Sequence, residues 1–393
     1  MKASGSNLSI LWRQVWGLSA LLAAAMFSWM AYSLYQPKIL QDLGFVQLAT
    51  WLGIFQGFLG AAIEPIVGGV SDRIRHRFGT RLPIVTAGVA LTGLIFVATA
   101  LLIQSQLPVR LRWIVPAIMT LWVISTIVFR GPVVAILREA APLAALPQAN
   151  VILTVVFGAI GALEPLLAGW LKGVGAAITF ILGAIALILG ATALYSSAPR
   201  PALFPMREEL QSAIAPRLMA AIFSTGLGVG FEVNLLLRLF PQILQAQLPH
   251  LSPAEITSTI LLISALVALP LLSWVVKVGV QRMMLVGVAA IAICLSLSLL
   301  QPSSLVAILV IFAAGIAFGL IFESQIPWVL GIVKRDRAGL STGLYFGGMG
   351  AATALLSLLL LPSGNLAPLP AFLLILGALA LTTASILAAG DRS

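Results

Sequence analysis

The sequence predicts an all-α integral membrane protein of about twelve transmembrane helices in two six-helix halves. Three observations carry this reading. Sixty per cent of the 393 residues are hydrophobic and 9% are charged, against about 25% charged in soluble domains, and the mean hydropathy is +1.10. A water-soluble fold of this size has more exterior than 34 charged side chains can cover, so lipid has to solvate the outer face. Twelve separate runs approach or exceed the roughly 20 apolar residues that cross a hydrocarbon core of about 30 Å. Positive charge, finally, collects on alternate connections between those runs.

In chain order the predicted spans are 16–36, 46–71, 83–104, 113–137, 148–171, 174–197, 217–243, 254–276, 281–300, 304–333, 340–361 and 367–389. The first contains Ala23–Ala25, a small-residue stretch that resembles a signal-peptide cleavage site, but the apolar run continues to Tyr35 and reads as a spanning helix. The second and third are joined by a short charged loop that turns at Gly79, and Pro83 opens the third. The fourth contains Arg130-Gly131-Pro132. Only Lys172 and nearby glycines separate the fifth from the sixth, so a re-entrant hairpin is an alternative there. A connection over 198–216, with PRPALFP, Glu208 and Glu209, divides the chain into an N-terminal half, 1–198, a linker, 199–216, and a C-terminal half, 217–393. The seventh run holds Glu232 and Arg238, the eighth ends in SWVVKVGVQR, and the tenth contains FESQIPW. The eleventh contains GLYFGGMGAATA, whose small residues let helices approach closely.

With the N-terminus inside, sixteen of the 22 Lys and Arg residues fall on inner segments, four on outer loops, namely Lys38, Arg110, Arg112 and Lys172, and two within helices, Arg130 and Arg238. This asymmetry predicts both termini in the cytoplasm. It also assigns the net charge of +10 to membrane-facing loops rather than to a nucleic-acid surface. Each half divides into two three-helix units of inverted topology, the plan by which transporters set a binding site at the membrane midplane. The segments GAAIEPIVGG and GALEPLLAGW agree with it, placing Glu64-Pro65 and Glu164-Pro165 at equivalent points of the second and fifth helices.

The most specific motif is GGVSDRIRHRFGTRLPIV, residues 68–85, in which Asp72 sits among Arg73, Arg75, Arg77 and Arg81. An acid in that field makes charge-assisted hydrogen bonds. Ser71-Asp72-Arg73, Arg77-Phe78-Gly79, Arg81 and Pro83, in that order, resemble the signature loop of the major facilitator superfamily, and in particular the sucrose transporters and related glycoside-pentoside-hexuronide cation symporters. Arg130-Gly131-Pro132 stands where the sucrose carriers have Gln-Gly-Pro, and Gly339-Leu340-Ser341 with Gly343 resembles the start of their eleventh helix. Val123 stands where those carriers have an acid, and the second-half copy of the loop keeps Lys277, Gly279 and Arg282 without one. The resemblance implies a conformational latch in which Asp72, with Arg73, Arg77, Gly79 and Arg81, pairs with arginines at neighbouring helix ends. It also implies a central cavity lined by helices one, four, seven and ten.

Six charged residues fall inside the predicted helices: Glu64, Arg130, Glu164, Glu232, Arg238 and Glu323. Charge at depth is costly, so each needs a partner, water or a function. Glu323 and Glu232 are the candidate coupling or substrate carboxylates, with Arg130 as the cation that matches or tunes them. Glu64 and Glu164 are further candidates, with hydrogen bonding to backbone freed by their prolines as the structural alternative. Arg238, near the outer surface, has snorkelling to headgroups as its alternative. Ser28, Tyr32 and Gln36 recur at i, i+4 and i+8 of the first helix, which presents a polar stripe to a solute or to neighbouring helices.

Enzyme chemistry has no footing. His76 and His250 lie in different loops, the single cysteine, Cys294, lies in an apolar run, and no metal spacing, phosphate loop or nucleophile elbow appears. No cofactor is expected. The residues and the resemblance together support a secondary transporter in the plasma (inner) membrane. It moves a small solute, a sugar or related polar compound, by alternating access coupled to protons or another cation. Export of amphipathic compounds and a non-transporting assembly or pigment-handling role on the same fold are the alternatives.

Overall fold

A computed structural model of the chain describes residues 9–105, 108–198, 214–301, 303–361, 364 and 366–390. Most of the predicted linker, with PRPALFP, Glu208 and Glu209, lies outside the described residues, as do Lys2 and Arg392. Among the described residues every regular element is helical, and twelve helical segments are long and apolar enough to cross a membrane.

These segments are α1 (Trp12–Asp42), α2 (Val46–Phe78), α3 (Leu82–Gln104), α4 (Ile114–Ala135), α5 (Leu146–Ala162, continued as Glu164–Val174), α6 (Ala176–Ser197), α7 (Pro216–Asn234, continued to Gln245), α8 (Pro253–Val278), α9 (Val280–Leu299), α10 (Ser304–Gly331), α11 (Ala338–Leu360) and α12 (Pro368–Gly390). An even number of crossings brings Trp12 and Gly390 to one side, called here the terminal face. α2 outruns its apolar stretch because its arginine-rich last turn stays helical until Gly79, at φ 78°, caps it. No re-entrant hairpin interrupts α5 and α6: Leu163 breaks α5 before Pro165, the helix resumes to Val174, and Gly175 at φ 86° makes the turn.

The bundle is apolar outside as well as inside. Ile66, Leu94 and Leu166 are 66%, 68% and 73% exposed, the pattern of a surface solvated by lipid rather than water. Helices meet through small residues. A Cβ on Gly68 would run into the Gly339 backbone, and one on Gly343 would lie 2.9 Å from the carbonyl carbon of Glu64. α2 and α11 therefore touch backbone to backbone. Gly158 of α5 meets Leu261, Ser264 and Ala265 of α8 in the same way. The small residues of the eleventh helix act as the sequence suggested.

Candidate functional site

The middle of the bundle holds a charged pair. Arg130 lies on α4 between the buried Phe129 and Gly131, and Glu64 lies midway along α2 just before Pro65. Arg130 Nη2 donates to Glu64 Oε1, and the guanidinium lies 5.2 Å from the centroid of the Phe346 ring on α11. The arginine side chain is 41% exposed and the glutamate side chain 1%. Of the pair, therefore, the guanidinium is the accessible partner and the carboxyl the enclosed one. Among the described residues Arg130 Nε and Glu64 Oε2 have no hydrogen-bond partner. The site thus combines an accessible guanidinium, an aromatic platform and a sealed carboxyl, and has unused capacity for an anionic or polar group.

At the terminal face Asp72 organises a second constellation. Its carboxylate accepts from Arg81 Nη2 at 2.6 Å and from the backbone N–H groups of Gly339 and Leu340, each at 2.8 Å. Those N–H groups belong to the first turn of α11, where a helix leaves donors unsatisfied and its dipole favours an anion. Gly339 is needed there, since a Cβ would lie 2.6 Å from both Asp72 Oδ1 and the Gly68 carbonyl oxygen. Arg81, fully buried, also donates to Glu139 Oε1 at 2.5 Å, and Arg75 Nε lies 3.3 Å from the same oxygen. The Arg335 carbonyl accepts from Arg75 and Arg81 at 3.4 and 3.5 Å, and its guanidinium donates to the Glu139 carbonyl at 3.4 Å.

Three further bonds, from two side chains, tie the first six helices to the last six. Thr342 Oγ1 donates to the Gly131 carbonyl at 3.2 Å. Pro327 has no N–H for the carbonyl of Glu323 four residues earlier, and Asn150 of α5 fills the gap, donating to Phe322 and Glu323 carbonyls at 2.9 and 3.2 Å.

The expected latch is corrected in its membership. Arg73 and Arg77 are exposed, with Arg77 over the Phe78 ring at 5.4 Å, because the helical rotation of α2 turns them away from Asp72. Gly79 contributes the turn that brings Arg81 back to the acid. Helix-start amides of α11, rather than arginines alone, are the partners.

Arg130 pairs with Glu64 and not with Glu232 or Glu323. Both of those are fully buried, with neither carboxyl oxygen hydrogen-bonded among the described residues, because the segments around them are packed on every side. Thr154 stands beside the Glu323 carboxyl with its hydroxyl turned to the Asn150 carbonyl at 3.4 Å. Tyr345, close to Glu232, donates instead to Gln325 Oε1 at 2.7 Å. Glu164 sits exposed at the break in α5, so its likeness to Glu64 in sequence does not extend to its surroundings. On the stripe of the first helix, Ser28 donates to the Gly183 carbonyl at 3.2 Å, and Tyr32 stacks on Trp122 at 4.3 Å while its hydroxyl accepts from Gln56 at 2.8 Å. Gln36 is buried with Nε2 unpartnered.

Arg238 is exposed and donates to Ser357 Oγ at 3.1 Å. It lies in a π-helical turn, Leu235–Leu239, just before Pro241, and Thr257 reaches the Leu237 carbonyl that the proline leaves without a donor, at 3.4 Å.

Sequence reasoning missed Phe346, Asn150, Glu139 and Arg335, and did not assign Arg75 to the latch. Glu139, an acid in the short helical turn Leu137–Ala140 that follows α4, and Asn150, an amide in an apolar run, carried a readable signal. Phe346, one aromatic among many, carried none.

A family model described as Major Facilitator Superfamily matches residues 17–357. Among curated proteins there is no significant match. Among solved structures, the human organic anion transporter TETRAN is similar at 14% identity and TM-score 0.64, over 96% of this chain and 99% of that one. A bacterial homologue of the iron transporter ferroportin, in an outward-facing state, is similar at 14% identity and TM-score 0.73, over 97% of this chain and 100% of that one. At that identity the likeness speaks for the fold.

Proposed function

The chain belongs to the major facilitator superfamily, and on that footing we propose that it is a secondary transporter carrying a small polar solute across the membrane by alternating access. The observation that carries this reading is the accessible Arg130 in mid-bundle, 41% exposed, above a terminal face tied shut by the Asp72 network. An accessible charge at mid-depth beside a closed face fits the alternating-access plan. The proposed rocking units are the halves 1–198 and 217–393, joined by 199–216. Two buried clusters support their separation, one of buried residues from Ala221 onward and another of buried residues up to Ala184, while a third joins the halves through Ile326, Leu330 and Ala338.

The resemblance of the Asp72 loop favours a sugar or related polar compound as solute and a proton or other cation as coupling ion. Glu323 and Glu232 are the proposed coupling carboxylates, because a charge left unpaired in such enclosed sites costs several kcal/mol and their state has to change with conformation. Glu323→Gln is expected to abolish gradient-driven accumulation while sparing exchange of solute down its own gradient, since the amide mimics the protonated acid. Normal accumulation by the folded variant removes Glu323 from coupling.

We place both termini in the cytoplasm and the protein in the plasma (inner) membrane, on the sixteen-to-four division of positive charge between inner and outer segments. His76 and His250 are both exposed. A cysteine at His76 should react only with impermeant reagent on the cytoplasmic side, and one at His250 only from outside. Labelling of both from one side rejects this orientation. The transport reading itself is tested by uptake into proteoliposomes of solutes that raise the thermal stability of the purified protein, with and without a proton gradient. A folded protein that binds a solute yet moves none overturns it.

A further inference from the structure

We infer that the solute carries a carboxylate, or an oxyanion of the same shape, which takes Arg130 over from Glu64 while Glu64 takes up a proton. The inference deepens the transport reading and rests on it for its cellular meaning, whereas its chemistry rests on the Arg130 pair.

Of the two partners the cation is the one an incoming solute meets, being 41% exposed where the carboxylate is 1% exposed. Only Nη2 of Arg130 is hydrogen-bonded to the protein among the described residues, and since Nε is buried the donors left to a solute are those of the Nη atoms. A guanidinium offers donors in a planar fork that a carboxylate oxygen pair matches. Phe346 lies over the guanidinium, so a planar anion approaches along the edge, with the ring as an apolar platform beside it.

The second half of the argument is what happens to Glu64. Of the charged groups on the elements packed against it, Arg130 of α4 is the one that faces the carboxyl. α11 presents the Gly343 backbone and Phe346. When a solute carboxylate replaces Glu64 on Arg130, the released carboxylate has no second cation in a sealed site, where an unpaired charge is costly. A proton from solvent removes that charge. The balance is even: Arg130 with ionised Glu64 sums to zero, and Arg130 with a bound carboxylate and a protonated Glu64 also sums to zero. One proton therefore accompanies one carboxylate. At the Arg130–Glu64 pair the loaded and empty sites carry the same charge, so this step responds to pH and adds no dependence on membrane potential to whatever charge Glu323 or Glu232 carries. A neutral polyol would leave the ion pair intact and gives Glu64 no reason to change state.

The probes are two matched pairs, benzoate with benzamide and glucuronate with glucose, applied to the purified full-length chain with thermal unfolding as the readout. At least one carboxylate is expected to raise the unfolding temperature where its neutral counterpart does not, with affinity strengthening as the pH is lowered, by up to about tenfold per pH unit. Glu64→Gln should keep the preference for the carboxylate and lose its pH dependence. The double variant Glu64→Gln with Arg130→Gln leaves no orphaned charge, and should bind the carboxylate more than about tenfold more weakly. Equal stabilisation by the neutral counterparts, unaltered carboxylate binding by the double variant, or no carboxylate effect in these pairs or a wider panel of mono- and dicarboxylates would overturn the inference. In proteoliposomes, carboxylate binding without uptake keeps the site and rejects transport, whereas uptake of a neutral solute by the double variant keeps transport and rejects the carboxylate site.

Discussion

Asp72→Asn is expected to unseal the terminal face while leaving the protein folded. The Asp72 carboxylate accepts from Arg81 at 2.6 Å and from two N–H groups of α11 at 2.8 Å each. An asparagine keeps one acceptor oxygen and turns two donors toward a site that already consists of donors. It also leaves the fully buried Arg81 with Glu139 as its remaining acidic partner. Losing charge-assisted bonds of this kind costs about 2 kcal/mol or more. The loss falls on the state in which α2 and α11 are joined, so the population with an open terminal face should rise by roughly thirtyfold for about 2 kcal/mol. Ser71 is a suitable reporter, being fully buried with a hydroxyl that has no partner among the described residues, so a cysteine there sacrifices no hydrogen bond. The maleimide reaction rate of Ser71→Cys should rise correspondingly in the Asp72→Asn background. An unchanged rate, together with unchanged transport, rejects the latch.

Gly343→Val should have the largest effect on stability. A Cβ at Gly343 would lie 2.9 Å from the Glu64 carbonyl carbon and 3.2 Å from Pro65 Cα. Both are backbone atoms, so no side chain can swing aside and α2 has to move off α11. Overpacking of this kind costs about 3 kcal/mol or more when neither backbone can yield, and it displaces Glu64 from Arg130. Gly69 of α2 supplies the control, because a Cβ there meets nothing within 4 Å. Gly69→Val is expected to leave the unfolding temperature nearly unchanged, while Gly343→Val lowers it by many degrees or prevents recovery of monodisperse protein. Equal tolerance of both substitutions would show that the α2–α11 contact is looser than its backbone distances indicate.

The sequence by itself determined the number, order and approximate limits of the spanning helices, because lipid imposes a length and an apolar composition that each segment satisfies alone. Gly79 and Pro83 marked the turn between α2 and α3 for an equally local reason: backbone geometry at those positions belongs to the residues themselves. The identity of partners was a different matter. Asp72 stood out among its arginines, yet which arginine it takes depends on how Gly79 redirects the chain, and its α11 amides come from 267 and 268 residues away. Arg130 was legible as a costly charge at depth. Its pairing with Glu64 rather than Glu232 or Glu323 was decided by the close approach of α2, α4 and α11, which no periodicity records. Asn150 and Pro327 make the same point, since a proline announces a carbonyl without a donor but only the packing of α5 on α10 decides which side chain supplies one. Local chemistry writes the helices and the unmet needs of their polar groups into the sequence; the three-dimensional meeting of distant helices decides how each need is met.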